Sequence, residues 1–239
     1  MIDYQVIKQL SGKYQTGEKN VVREYLQHLF AQFFYSQPES ENFLFKGGTA
    51  LRLVYHSPRF SEDIDFSGIK NGVRYENILE KVIERFALEG FECELVESKA
   101  TSGGWLAILR FLAFGKTINI RNEISFRGRQ IKKEAVMISS DFIPAYKLFL
   151  LSPDKLVKEK IAALLTRNKT RDIFDLYFIL RNHSLRKYAK LNKNERALLV
   201  RLFGARDNRL IKNELQPLLS TGFLPVIKNL PERLIKELE

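Results

Sequence analysis

The sequence contains one cysteine, Cys93, so no disulfide can form within the chain. It also contains three scattered histidines: His28, His56 and His183. Their spacing does not match a zinc site, and we interpret each of them as a structural or surface residue. Cys93 shares a strand face with apolar neighbours, which predicts a buried and unreactive thiol. The same argument favours core packing for Trp105.

Long apolar runs are also missing, since none approaches the roughly 18 residues that a membrane helix needs. The first residues, MIDYQVIKQLSGKY, lack the basic start and apolar stretch of a secretory signal. Internal repeats and low-complexity linkers are absent as well. We therefore expect a cytoplasmic protein without membrane contact, folded as one domain with two lobes in its 239 residues.

Positive charge, by contrast, is abundant. The chain has 39 Lys and Arg residues against 28 Asp and Glu residues, a formal net charge of +11. Such a field attracts polyanions and nucleotides, although many basic proteins bind neither specifically. Charge alone therefore leaves nucleic acid as one candidate partner among several.

Periodicity predicts an α/β (α+β) protein in which a mixed β-sheet lobe, residues 1–150, precedes a helical lobe, residues 151–239. Apolar residues at helical spacing predict helices over Glu18–Tyr35, Tyr75–Leu88 and Arg171–Leu180. Ser152 and Pro153 fit the N-cap and first position of a further helix. Short apolar runs predict strands over Phe43–Lys46, Asp63–Ser67, Phe91–Val96, Trp105–Phe111 and Thr117–Phe126.

Two acids stand close together in the segment KGGTALRLVYHSPRFSEDIDF, residues 46–66. On a strand, Asp63 and Asp65 point to one face while Ile64 and Phe66 point into the core. Carboxylates this close repel each other unless a cation lies between them, and hard oxygen ligands suit Mg²⁺ or Mn²⁺. The pair therefore predicts a divalent metal site.

A glycine turn precedes these acids. Gly47, Gly48 and Thr49 follow an apolar strand that ends at Lys46 and open a helix-compatible run. Backbone N–H groups at such a turn can bind phosphate, and a Cβ would block that close approach. A phosphate-binding turn beside a metal site is what nucleotidyl transfer from an NTP requires.

Two motifs carry a family resemblance. GGTALR followed by RFSEDIDF closely resembles the signature of the nucleotidyltransferase fold and of the AbiEii toxins of bacterial toxin–antitoxin and abortive-infection systems. The later stretch KLVKEKIAALLTRNKTRDIFDLYFIL is similar to the helical motif of that family. Together the motifs extend from about Lys46 to Leu180.

For the first motif the resemblance implies metal binding by Asp63 and Asp65. It also implies that Gly48 and Thr49 contact the triphosphate through backbone N–H and hydroxyl groups, with Gly47 shaping the turn. Two other residues of the segment, Arg59 and Ser61, each have two possible roles. Arg59 is expected either to hold a phosphate or to pair with an acid.

Ser61 is expected either to cap the local turn or to contact the nucleotide. The fold also implies a third acid on a later strand, and Glu123 is the candidate. Its neighbour on the same face is Arg121, so a surface ion pair is the alternative.

For the second motif the resemblance implies that Lys160 reaches phosphate oxygens, although Lys155 and Lys158 leave the register open. Asp172 is a candidate catalytic acid, in a helical first turn that favours an acid in any case. Asp175 is expected to pair with Arg171, four residues earlier. Arg167 is expected to contact substrate or to cap its own helix.

These residues predict a metal-dependent nucleotidyltransferase that transfers NMP from an NTP to an acceptor hydroxyl. The resemblance implies that the acceptor is the 3′ end of tRNA and that a cognate antitoxin is encoded nearby. One alternative is transfer to a protein hydroxyl. The other is a nucleotide- or RNA-binding regulator without catalysis.

Overall fold

The structure is a computed structural model that describes residues 1–69, 74–126, 133–167 and 169–238. The chain divides into two compact units: residues Met1–Val54 with Phe60–Ser152, and residues Tyr55–Arg59 with Pro153–Glu239. We call them the sheet unit and the helical unit. The short segment Tyr55–Arg59 was expected in the first lobe, but it groups with the helices.

In the described part of the chain, strands of the sheet unit form one seven-stranded mixed sheet: β1 (Phe43–Lys46), β2 (Ile64–Gly68), β3 (Glu92–Thr101), β4 (Gly104–Ala113), β5 (Lys116–Ser125), β6 (Lys133–Ile138) and β7 (Tyr146–Leu151). Their order is β3-β4-β5-β2-β1-β7-β6. β2 is parallel to β5 and antiparallel to β1, and β1 is parallel to β7. The predicted mixed α/β fold is confirmed.

β5 shows how the sequence pattern produces one wet face and one dry face. Ile118, Ile120 and Ile124 are buried, whereas Asn119 and Arg121 between them are exposed. Successive side chains of a strand point to opposite faces, so this alternation directs the apolar side chains into the core. The strand predicted over Thr117–Phe126 is confirmed, with each end one residue earlier.

The sheet unit also contains four helices among its described residues: α1 (Tyr4–Tyr14), α2 (Glu18–Tyr35), α3 (Gly47–Leu53) and α4 (Tyr75–Leu88). α2 and α4 pack against each other and cover the apolar side of the sheet. Phe34 of α2 stacks on Phe66 of β2 with ring centroids 4.8 Å apart, and Phe86 of α4 meets Phe111 of β4 at the same distance. These rings place the main core between the helices and the sheet.

The helical unit contains six further α-helices in the residues described: α5 (Pro153–Arg167), α6 (Thr170–Arg181), α7 (Lys193–Gly204), α8 (Asn208–Leu215), α9 (Leu224–Ile227) and α10 (Leu230–Leu238). α7 ends at Gly204, Pro217 lies in the short 3-10 turn that follows α8, and Pro225 lies in the first turn of α9. α5 begins at Pro153 as expected, but the described residues give the Ser152 hydroxyl no hydrogen-bond partner. The position of the helix start is confirmed, and the capping hydrogen bond is not.

Three elements were not predicted from the sequence, namely α1, β6 and β7. β7 is an apolar run without alternation, and such a run does not distinguish a strand from a buried helix.

Cys93 is half-buried on edge strand β3, which corrects the expectation of full burial. Burial raises the pKa of its thiol to about 12, so it is protonated at neutral pH. No helix among the described residues is long and apolar enough to cross a membrane.

Candidate functional site

Three charged residues lie in one row across the centre of the sheet. Asp65 on β2 pairs with Lys46 on β1 and with Glu123 on β5. Residues paired across neighbouring strands direct their side chains to the same face. Since Ile64 and Phe66 are fully buried on the opposite face, the row lies on the face away from the aromatic core.

The glycine turn contacts Asp65, the central residue of this row, directly. Gly47 adopts φ +79°, which L side chains rarely adopt, and it begins α3. A Cβ at Gly47 would lie 1.9 Å from Oδ2 of Asp65. The backbone angle agrees with the expectation that Gly47 shapes the turn, and the close contact is with Asp65, a neighbour that the sequence did not predict. The turn is close to the acids because it packs on one of their side chains.

A second contact links the same two segments. Thr49 is fully buried, and its hydroxyl donates a hydrogen bond to the backbone carbonyl of Asp63. The predicted contact between this hydroxyl and a triphosphate is therefore not supported. Thr49 instead fixes the position at which Asp63 enters β2.

Glu123 lies across from Asp65, but its carboxylate is held by a neighbour. Arg121 Nε is 2.6 Å from Glu123 Oε1, and both side chains are about half exposed, 51% and 49%. The ion pair that the sequence left as an alternative is thus present. Within the described ranges, no three His, Cys, Asp or Glu side chains are grouped closely enough to hold a metal ion. The predicted metal-binding pair, Asp63 and Asp65, therefore has no third ligand of these types grouped with it in that part of the chain.

A buried polar stripe on α2 supports both halves of this site: Asn20, Arg23, Glu24, Gln27 and His28. Arg23 lies 3.3 Å from Glu62, and Gln27 donates to the carbonyl of Ser61 at 3.1 Å. These two contacts hold the segment that leads into Asp63. Burial lowers the pKa of Arg23, while the nearby carboxylates of Glu62 and Asp63 oppose that shift.

The same stripe holds α3. Glu24 accepts two hydrogen bonds from Arg52, at 2.6 and 3.1 Å. The Arg52 guanidinium also stacks on the ring of Phe60, 4.0 Å from its centroid. α2 thereby fixes the helix that follows the glycine turn as well as the segment that precedes the acids.

His28, the last residue of the stripe, has a structural role. Its Nδ1 lies 2.9 Å from the hydroxyl of Tyr146, and the ring is buried. Burial, with a contribution from Arg52, lowers the pKa of His28 to about 3, while Asp141 opposes the shift. The imidazole is neutral at physiological pH, which agrees with the predicted structural role.

Sequence reasoning missed this polar stripe. Its positions recur at intervals of three and four, the pattern of one helix face, and a charged face is normally assigned to solvent. One feature of the sequence could have indicated its burial: α2 also has apolar residues on its other faces, which is typical of a helix that is buried on all sides.

In the helical unit, Asp175 forms the centre of a buried charge cluster. Its carboxylate accepts from Arg59 Nε at 2.8 Å, Arg59 Nη2 at 3.0 Å and Lys160 Nζ at 2.7 Å. Asp175 and Arg59 are only 1% and 3% exposed. Burial alone would raise the pKa of Asp175, but Arg59 and Lys160 outweigh it and lower the pKa to about 2.

These contacts decide between several predicted alternatives. Arg59 pairs with an acid, so its predicted phosphate contact is not supported. Asp175 pairs with Arg59 and Lys160, which corrects the expected pairing with Arg171. The ammonium of Lys160 is engaged by this aspartate, a partner that the sequence did not predict.

Asp172 is held separately. Its carboxylate accepts two hydrogen bonds of 2.8 Å from Arg167, so Arg167 joins the end of α5 to the first turn of α6. This contact differs from both predicted roles of Arg167. Asp172 is 2% exposed while Arg167 is 52% exposed, which leaves the arginine accessible to solvent.

Solved structures of other proteins share this fold. JHP933 from Helicobacter pylori has a TM-score of 0.64 and 21% identity, over 93% of this chain and 91% of that chain. The nucleotidyltransferase toxin MenT4 from Mycobacterium tuberculosis has a TM-score of 0.60 and 16% identity, over 100% of this chain and 90% of that chain. No curated protein matches the chain in sequence.

The sequence profile described as "Nucleotidyl transferase AbiEii toxin, Type IV TA system" matches residues 28–238. This range includes both sequence motifs, with Asp63 and Asp65 in the first and Asp172 and Asp175 in the second. Such a system pairs the toxin with a cognate antitoxin, and a nucleotidyltransferase takes an NTP as its substrate. The resemblance drawn from the sequence is therefore confirmed, and the chain is a nucleotidyltransferase that belongs to the AbiEii toxin family.

Proposed function

We propose that this enzyme transfers NMP from an NTP to the 3′ hydroxyl of tRNA and releases pyrophosphate, with a divalent metal ion held by Asp63 and Asp65. The observation that carries the proposal is the packing of Gly47 against Asp65. It makes the phosphate-binding turn and the acids one site in the sheet unit. The net charge of +11 supports a polyanionic acceptor.

The donor set fits a magnesium ion. Asp63 and Asp65 supply hard carboxylate oxygens, and Mg²⁺ in nucleotide enzymes is usually bound by one or two carboxylates together with water and substrate phosphates. When bound, the ion neutralises charge that develops on the phosphates during transfer. A third protein ligand is not needed for this arrangement.

The residues around the acids supply orientation. α3 begins at Gly47, so the first N–H groups of this helix, including those of Gly48 and Thr49, have no acceptor within the helix. We assign them to the triphosphate. Lys46, beside Asp65 in the row, adds a positive charge on the same face. Glu123 is the proposed base for the acceptor hydroxyl, and it must leave Arg121 to act.

Ser61, Lys160 and Asp172 keep proposed roles that derive from the family pattern alone. Ser61 would contact the nucleotide, Lys160 would hold phosphate oxygens, and Asp172 would support catalysis. Because Lys160 is bound to Asp175, its substitution is expected to affect folding as well as transfer. The ratio of the two effects, measured for Lys160→Met, tests its assignment.

Labelled NTPs test the whole proposal. Purified protein is incubated with Mg²⁺, total tRNA and each α-labelled NTP in turn, and the products are separated on a denaturing gel. We expect label on tRNA with the parent protein, and none with Asp65→Asn or with EDTA. Periodate-treated tRNA, whose terminal diol is oxidised, should accept no label.

The other outcomes contradict particular parts of the proposal. Label on periodate-treated tRNA would exclude the 3′ hydroxyl as the acceptor. Label on proteins of an added lysate, with none on tRNA, would replace the RNA acceptor by a protein hydroxyl. Transfer that persists in EDTA would remove the metal ion from the mechanism.

A further inference from the structure

The positive charge of the chain is concentrated in one unit. The helical unit contains 20 Lys and Arg residues against 10 Asp and Glu residues, a net charge of +10. The sheet unit contains 19 against 18, a net charge of +1. The unit that carries the metal-binding acids is therefore nearly neutral, and almost the whole excess of cations lies outside it.

Within the helical unit, one short segment concentrates exposed cations. We call residues 186–193 the basic turn. Arg186, Lys187, Lys190 and Lys193 are all exposed, and the sequence has no acid between Asp175 and Glu195. The described residues provide none of these four side chains with an ion-pair partner.

The basic turn is held in a defined conformation. The Asn182 carbonyl accepts from the N–H groups of Leu185 and Arg186 at 3.1 and 2.9 Å, and Leu185 is fully buried. At its other end, Asn192 and Glu195 form a capping box that starts α7. The first residues of the basic turn, Arg186–Tyr188, pack against α5 and α6. The four cations are thus displayed on a fixed backbone.

The surface of the turn is cationic without being apolar. Its larger apolar residues, Tyr188 and Leu191, are half-buried and do not project as anchors. Docking on a bilayer uses exposed apolar side chains together with cations, and a stable protein interface has an apolar centre. A hydrated phosphate backbone requires only the cations.

We propose that the basic turn is the surface on which the phosphate backbone of the RNA substrate docks. This inference rests on the proposed function, because it concerns the same acceptor. It adds a site for that acceptor in the helical unit, formed by residues that no catalytic role has claimed.

Counterion release makes the proposal quantitative. Each Lys or Arg that neutralises a phosphate releases bound counterions, so the slope of log affinity against log salt changes by about 0.7 to 0.9 per contact. If two to four of these side chains contact phosphates, their neutralisation should reduce the slope by about 1.4 to 3.6. Affinity at low salt should fall at least about tenfold.

The experiment measures binding of a fluorescently labelled tRNA transcript by anisotropy, from about 50 to 200 mM salt. Asp65→Asn is used as the parent so that no transfer occurs. The test variant adds Arg186→Gln, Lys187→Gln, Lys190→Gln and Lys193→Gln. The matched control instead neutralises one arginine and three lysines elsewhere in the same unit: Lys212, Lys228, Arg233 and Lys236.

We expect the test variant to lose affinity and salt dependence while the control retains most of both. An unchanged slope in the test variant would overturn the proposal. An equal loss in the control would do so too, because it would assign the effect to net charge. Competition by poly-glutamate as effective as that by unlabelled tRNA would show a surface for any polyanion.

Transfer assays on the active protein separate this inference from the proposed function. If tRNA is labelled and the turn substitutions raise the KM for tRNA without changing the KM for NTP, both proposals stand. If tRNA is labelled and the KM for tRNA is unchanged, only the docking surface fails. If tRNA is never labelled but its binding still requires the turn, only the proposed acceptor fails.

Discussion

Asp63 and Asp65 are half-buried at the start of β2 in the sheet unit, whereas Asp172 and Asp175 in the helical unit are almost fully buried. Each buried acid of the helical unit accepts two hydrogen bonds from an arginine, and Asp175 also accepts one from Lys160. A carboxylate with its acceptor sites filled stabilises a fold, and an accessible one can bind substrate or metal. The two pairs of aspartates therefore differ in exposure, which predicts metal binding for Asp63 and Asp65 and a mainly stabilising role for Asp175.

The largest expected effect is the loss of activity in Asp65→Asn. Asparagine has the same shape and keeps the contact with Gly47, so the free energy of unfolding should change by less than about 1 kcal/mol. The rate of transfer should fall on the order of 10³-fold, because the metal loses a charged ligand. Steady-state transfer and urea unfolding measure the two effects. A variant that retains a tenth of the rate would show that the acids are not the reacting centre.

Asp175→Asn should give the opposite pattern, with a loss of stability as its main effect. Arg59 and Lys160 would remain buried without their counter-ion, which destabilises proteins by about 3 to 5 kcal/mol. Asp172→Asn is the matched comparison and should cost less, since Arg167 is half exposed and stays hydrated. Urea unfolding of both variants tests this order. Equal losses would show that burial of the partner is not the deciding factor.

Gly47→Ala separates backbone strain from contact with the acid. Gly47 and Gly90 have nearly the same φ, +79° and +81°, but a Cβ at Gly90 would meet no atom of the described residues within 4 Å. Both alanine variants should lose about 1 to 2 kcal/mol of stability. Only Gly47→Ala should also reduce transfer, by about 10²-fold, because it displaces Asp65. Similar rates in the two variants would remove Gly47 from the site.

Acid should unfold the sheet unit before the helical unit. The pKa of buried His28 is lowered from 6.5 to about 3, so its contribution to stability is complete above about 6.5 and is lost as the pH falls towards 3. The pKa of Asp175 is lowered from 3.8 to about 2, so its contribution is lost only below about 3.8.

Two probes can follow the units separately during acidification. Trp105 lies on β4, so its fluorescence reports the sheet unit, and amide exchange in α5 and α6 reports the helical unit. His28→Gln should move the fluorescence transition to lower pH and leave the exchange of α5 and α6 unchanged. If both probes changed at the same pH in the parent protein, the two units would not unfold over separate pH ranges and the prediction would be wrong.

The sequence predicted what depends on neighbouring residues. The ends of α2, α4 and β1 agree with the expected ranges, and the glycine at position 47 was explained by the geometry that it has. These features follow from periodicity and from local backbone sterics.

Features that depend on distant residues were not predictable from a single sequence. The partner of Asp175 lies 116 positions earlier, at Arg59, and local spacing pointed instead to Arg171. The burial of the polar stripe of α2 was not predicted for the same reason. Its partners lie in α3 and in the segment before β2, too far along the chain for the periodicity of one helix to reveal them. Long-range pairs require either the fold or covariation between homologues.

The separation of Arg59 from Asp175 along the chain also bears on synthesis at the ribosome. The chain visits the helical unit at Tyr55–Arg59, returns to the sheet unit and re-enters the helical unit only at Pro153. Translation proceeds at about 5 to 20 residues per second, so Asp175 is synthesised on the order of ten seconds after Arg59. A nascent chain that stops before Asp175 lacks the counter-ion of Arg59, so the buried charge cluster can form only after α6 has been synthesised.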